Sequence, residues 1–174
     1  ALQKYPPQFL NRHLEAIIVA GKDSIYLKNQ LVGGLVIEEN PRRVMLDEEL
    51  LDNGHTGFHH EFSSAVLRHH TDEFPLKEWY ATLPENFRYG EGNERREVNF
   101  RPQNTSLLRE GFICPYGKTS CEEDFNTFAH MLFARTDIAR KLTDFPKLRR
   151  KFELVAEYYD KINGSVFARK LLDK

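Results

Sequence analysis

The sequence predicts an α+β fold, with a sheet built early in the chain and helices after it. Three observations carry this. Short runs rich in Ile, Val, Leu and Tyr, separated by turn compositions, fill the first part of the chain. From Gly57 onward the apolar period becomes that of a helix, and the last third repeats helical stripes bounded by capping residues.

The strand-like runs are Leu14 to Ala20, Ser24 to Lys28, Leu31 to Ile37 and Arg43 to Leu46. Between them stand Gly21-Lys22-Asp23, Asn29-Gln30 and Glu39-Asn40-Pro41, which are turn compositions. Gly33-Gly34 weakens the third run as a central strand and marks a bulge or a close approach of the backbone to something. From Gly57 to His70, Phe58, Phe62, Ala65, Val66 and His69 recur at helical spacing as the core stripe. His60, Glu61, Ser64 and Leu67 fall to one side of it, where a half-buried site would look out.

Pro75 to Tyr80, with the only Trp, reads as one or two helical turns. Glu85 to Asn104 is polar, contains Gly90, Gly92 and Pro102, and reads as a long loop able to cover a cleft. Thr119 and Glu122 have capping-box spacing ahead of a helix to about Ala134 whose buried face is Phe125, Phe128, Ala129 and Leu132. Pro146 opens a helix over Lys147 to Asn163, and Gly164 stands where a C-terminal cap glycine ends it. A short final helix is expected from Val166 to Leu172.

At 174 residues without repeats or a Gly/Ser linker, the whole chain reads as one domain with a core of its own. The 25 basic residues nearly balance 26 acidic ones, and runs such as Arg95-Arg96 and Lys147 to Lys151 are short, so the composition argues against a nucleic-acid partner. No apolar stretch approaches the roughly 18 residues of a membrane span, and Ala1 onward lacks a signal-peptide pattern. Cys114 and Cys121 flank a six-residue loop, either to pair if that loop turns back or to serve as small packing residues.

The chemistry is concentrated in His59-His60-Glu61-Phe62-Ser63-Ser64 and in Tyr116 followed by Glu123-Asp124-Phe125. A zinc-peptidase helix carries two histidines at i and i+4, about 6 Å apart along the axis, with a glutamate beside the first to act as base. Here that spacing gives His60 and Ser64, with Glu61 in the place of the base.

With these residues the chain resembles the zincin-like metallopeptidases of the gluzincin type, and more narrowly small bacterial zinc metallopeptidases and lethal-factor-like peptidase domains. The likeness spans Leu31 to Phe133. Members carry His-Glu-Phe-x-His on the active-site helix, then a tyrosine seven residues ahead of Glu-x-Phe-Ala-Glu on a second helix. The resemblance implies a zincin-like fold, a mixed N-terminal sheet packed on the active-site helix, with Arg43 to Leu46 at the sheet edge that pairs with an extended peptide. It implies zinc as cofactor, a peptide or protein as substrate, and an exported bacterial protein. Residue by residue it makes His60 and Glu123 zinc ligands, Ser64 the occupant of the second histidine's place, Glu61 the general base, and Tyr116 the donor to the oxyanion.

Two departures bear on activity: Ser64 replaces a histidine ligand, and Thr127 replaces the glutamate that orients the site. A zinc-dependent peptidase with weakened or lost activity and an inactive pseudo-peptidase serving as a binding module are therefore the two functional expectations. Other donors are poorly spaced. His130 lies roughly 10 Å beyond Glu123 along its helix, and His59 points about 100° away from His60. His70 follows His60 at the spacing of a different zincin class, but without its turn glycine, since Leu67 stands there. Cys121 begins on a different face from Glu123, while a water held by Ser64, or His55 or His13, stays open. Each motif residue also has a purely structural use: Glu123 can close a capping box with Ser120, and Tyr116 can pack on Phe112.

Overall fold

The computed structural model describes residues 1–37, 40, 42–49, 56–90 and 105–173. His55, Glu39, Pro41, Arg95-Arg96 and the 91–104 part of the polar loop lie outside them. The protein is mixed α and β with a small sheet, and it divides into two compact units, Ala1–Thr71 and Asp72–Lys174.

The first unit opens with a 3-10 turn at Leu2–Lys4 and helix α1, Pro7–His13, which carries proline in its first turn. Strands β1 (Ala16–Ala20), β2 (Tyr26–Leu27), β3 (Gln30–Leu31), β4 (Gly34–Val36) and β5 (Arg43–Asp47) follow, then helix α2, Thr56–His69. The sheet order is β1-β5-β4, with β1 parallel to β5 and β4 antiparallel to it. The register sets Val44 against Ile17 on one side and Val36 on the other. So β5 is the middle strand, and the expectation that Arg43 to Leu46 form the sheet edge is corrected. The reason is long-range pairing, with β1 on one side and β4 on the other, which the run's own residues do not display; Val44 and Leu46 are fully buried.

The Leu31 to Ile37 run is in fact two strands. Its first residue belongs to a β2-β3 hairpin whose turn is Lys28-Asn29, one residue earlier than the sequence suggests. Both turn residues have positive φ (49° and 63°), the pairing whose twist matches a two-residue hairpin.

Helix α2 lies on β4 and β5. Phe58, Phe62, Ala65 and Val66 form its core stripe as expected, but His69 is exposed at the helix end. His60, Ser64 and Leu67 are buried rather than half-exposed, leaving Glu61 as the half-buried member of that group. The N-terminal segment packs here as well, with the Tyr5 and Phe9 rings on Phe62 at centroid distances of 5.1 and 6.1 Å.

The second unit contains α3 (Leu76–Tyr80), α4 (Thr105–Glu110), a 3-10 turn at Pro115–Lys118, α5 (Cys121–Ala134), α6 (Thr136–Leu142), α7 (Pro146–Asn163) and α8 (Arg169–Leu172). Helix α5 is its axis, since every residue from Asp124 to Phe133 is buried. Ser120, not Thr119, caps it: the Ser120 hydroxyl accepts from Glu123 N at 3.1 Å, while the Thr119 hydroxyl turns back to Tyr116 O. Helix α7 packs on α5 and starts at Pro146 as expected; Gly164, at φ 72°, ends it in the left-handed conformation. Among the described residues no helix is long and apolar enough to cross a membrane.

Candidate functional site

In the first unit, His60, Glu61 and Ser64 sit on α2 where it crosses the sheet. Close packing of the helix on β4 is possible because position 34 is glycine. A Cβ there would lie 2.8 Å from Glu61 Cγ and 3.1 Å from Glu61 Oε1, nearer than packed atoms tolerate. The Glu61 side chain therefore runs alongside β4, which pairs only with β5 among the described residues. Ser63 donates its hydroxyl to His60 O at 2.7 Å, satisfying that buried group within the helix. His59 faces the N-terminal segment, with the Tyr5 hydroxyl 2.9 Å from its Nδ1.

His13 and His70 are neighbours of each other, with ring centroids 4.9 Å apart. His70 is ten residues beyond His60, about 15 Å along the helix direction, so neither ring reaches an ion held by His60.

In the second unit, Tyr116 and Glu123 are both half-buried, on the turn ahead of α5 and in its first helical turn. That turn lies against α5 at Gly117, where a Cβ would come 3.2 Å from Asp124 Oδ1. Thr127 gives its hydroxyl to Glu123 O at 2.7 Å, a bond within the helix. His130 is fully buried further along α5.

The dominant electrostatic feature of this unit escaped the sequence reading. Asp124 and Lys151 form an ion pair of 2.5 Å with both side chains almost completely buried. Asp124 Oδ2 also accepts from the Tyr89 hydroxyl at 2.7 Å and from Trp79 Nε1 at 3.2 Å. Lys151 donates to Gly111 O at 2.8 Å, and its ammonium lies 4.3 Å from the Phe112 ring centroid. Burial pushes the Asp124 carboxyl up and the Lys151 ammonium down, and their mutual attraction opposes both shifts. A signal was present: Lys151 falls on the apolar stripe of α7 between Leu148 and Phe152, where a lysine must find a partner.

Cys114 and Cys121 are free thiols. Burial raises both, Cys114 above its ordinary value and Cys121, with Asp124 adding to the effect, to about 12.

The donor set does not fit a catalytic zinc, which takes three protein ligands and a water. A serine hydroxyl is a weak donor for this ion, and among the described residues no three His, Cys, Asp or Glu side chains group so as to hold a metal. No family model matches the chain, and no curated protein or solved structure matches it either.

Proposed function

We propose that this protein is a zincin-like peptidase domain that binds an extended peptide and whose hydrolytic activity is weakened or lost through the serine at position 64. The observation that carries the reading is the Glu61 carboxylate lying alongside Gly34 of β4. Among the described residues β4 is paired on one side, which would leave backbone groups for an extended chain, and a carboxylate beside that edge would take a proton from water attacking a peptide carbonyl. The roles of His60 and Glu123 as zinc contacts and of Tyr116 as donor to the carbonyl oxygen rest on the sequence resemblance. The same resemblance makes an exported bacterial protein the expected setting.

The test is a Ser64→His variant compared with the unchanged protein for zinc content and peptide hydrolysis. The expected result is little zinc in the unchanged protein, a gain in zinc affinity of roughly tenfold or more in the variant, and hydrolysis that Glu61→Gln removes. A Ser64→His protein with neither zinc nor hydrolysis overturns the peptidase reading.

The second reading, a pseudo-peptidase acting as a binding module, is favoured by the Thr127 hydroxyl bonding its own helix at Glu123 O. Its mark is peptide binding that neither zinc nor the Glu61→Gln change alters.

A further inference from the structure

We infer that the junction between the ends of α1 and α2 is an acid-sensitive latch, in which a neutral His13 holds the N-terminal segment Leu2–His13 on α2 and releases it when protonated.

His13 is the last residue of α1 and is only 4% exposed. Its ring lies 4.5 Å from the Phe9 ring and 4.9 Å from His70, which it meets edge to face at 76°. Its Nε2 is buried without a hydrogen-bond partner. A neutral imidazole tolerates that position, because the unpartnered nitrogen carries no net charge. An imidazolium would bring a full charge and a second N–H to a place that offers this nitrogen no acceptor.

Among the described residues, the charged and ionisable groups acting on His13 oppose protonation: His70 and His69 at the end of α2, Arg12 on α1 itself, and Arg42 ahead of β5. Arg42 is fixed near by its carbonyl, which accepts from Glu15 N at 2.7 Å. Burial first, and His70 next, hold the His13 imidazole down at about 4, from an ordinary 6.5. The ends of α1 and α2 attract positive charge, but that weaker effect acts mostly at solvated positions such as His69.

The sign follows from a base whose folded value is depressed. Its contribution is intact above about 6.5 and is lost as pH falls toward about 4, where full protonation weakens the closed state by roughly 300-fold. Helix α1 is seven residues long with no side-chain N-cap, too short to persist alone. The segment's contacts with α2 include Tyr5 and Phe9 on Phe62, Tyr5 against Phe58 and the His59 ring, and the Tyr5 to His59 hydrogen bond. Release would uncover this face of α2, including His59, one residue before His60.

Hydrogen exchange of residues 2–13 in the full chain between about pH 7 and pH 4, corrected for intrinsic rates, reads the latch, while emission from Trp79 reports the core of the second unit. The expected result is protection falling by roughly tenfold per pH unit below about 6, the slope of one linked proton, with Trp79 emission unchanged. His13→Phe, which keeps a ring on Phe9 and His70, is expected to remove the slope. Protection that holds to about pH 4, an equal slope in His13→Phe, or a simultaneous change at Trp79 overturns the latch. Should His13→Phe fail to fold, the His13 ring protons in the unchanged protein decide by NMR: a midpoint well below 6.5 that tracks the loss of protection supports the latch, and one near 6.5 overturns it.

Discussion

A methyl group on Gly34 would come 2.8 Å from Glu61 Cγ, in mid side chain rather than at its flexible tip, so the carboxylate cannot swing clear without moving the stem. Gly34→Ala is therefore expected to cost about 1–3 kcal/mol by urea unfolding, with much of that cost absent in a Glu61→Ala background. A similar argument governs Lys151. Lys151→Met leaves a carboxylate buried with only Tyr89 and Trp79 as donors and is expected to cost about 3–5 kcal/mol. Adding Asp124→Leu removes the stranded charge and is expected to restore most of that loss, read by urea unfolding on Trp79 emission. These two positions also mark what single residues disclose. Gly33-Gly34 announced a close approach of the backbone, because glycine inside a strand run has few other uses. Lys151 entered only as the end of a short basic run, and its burial went unseen because its partner lies 27 positions away, a pairing no local spacing displays.

Among the elements, the ends of α5 and α7 are the most sharply defined. Ser120→Ala removes the acceptor for Glu123 N and is expected to cost about 1 kcal/mol in thermal or urea unfolding. Gly164→Ala meets no steric obstacle from neighbouring atoms, yet its φ of 72° makes a cost of about 1–2 kcal/mol the expectation from backbone conformation alone. Helices α2, α5 and α7 were legible because each is 14 residues or more and repeats its apolar stripe over several turns. Helices α1, α4 and α6, of 6 or 7 residues, were not among those expected. The strands were found roughly in place, but the central position of β5 was not. Pairing partners are set by long-range hydrogen bonds, and a five-residue run reads alike in the middle of a sheet and at its edge. The residue types of the candidate site were legible for the opposite reason, since helical spacing alone sets His60, Glu61 and Ser64 on one helix.

Across the whole molecule, stability is distributed unevenly, and burial says where. The β2-β3 hairpin is exposed along both strands, whereas α5 is buried from Asp124 to Phe133 and α7 carries nine buried residues. Native-state hydrogen exchange should therefore find the slowest amides in α5 and α7 and the fastest regular structure at Tyr26–Leu31, with a difference of several kcal/mol in opening free energy. A hairpin as well protected as α7 would contradict this ordering. No change in composition marks Thr71-Asp72, where the two units divide; the division is visible only in which contacts each segment makes. The reading of the whole chain as one domain rests on composition, which does not register such a division.

The two thiols have a practical consequence. With Cys114 buried and raised, and Cys121 pushed up to about 12, the native cysteines are expected to react slowly with alkylating labels at neutral pH. A cysteine introduced at an exposed position such as Val19 or Tyr26 would carry a spin label or fluorophore selectively, with the native pair left in place.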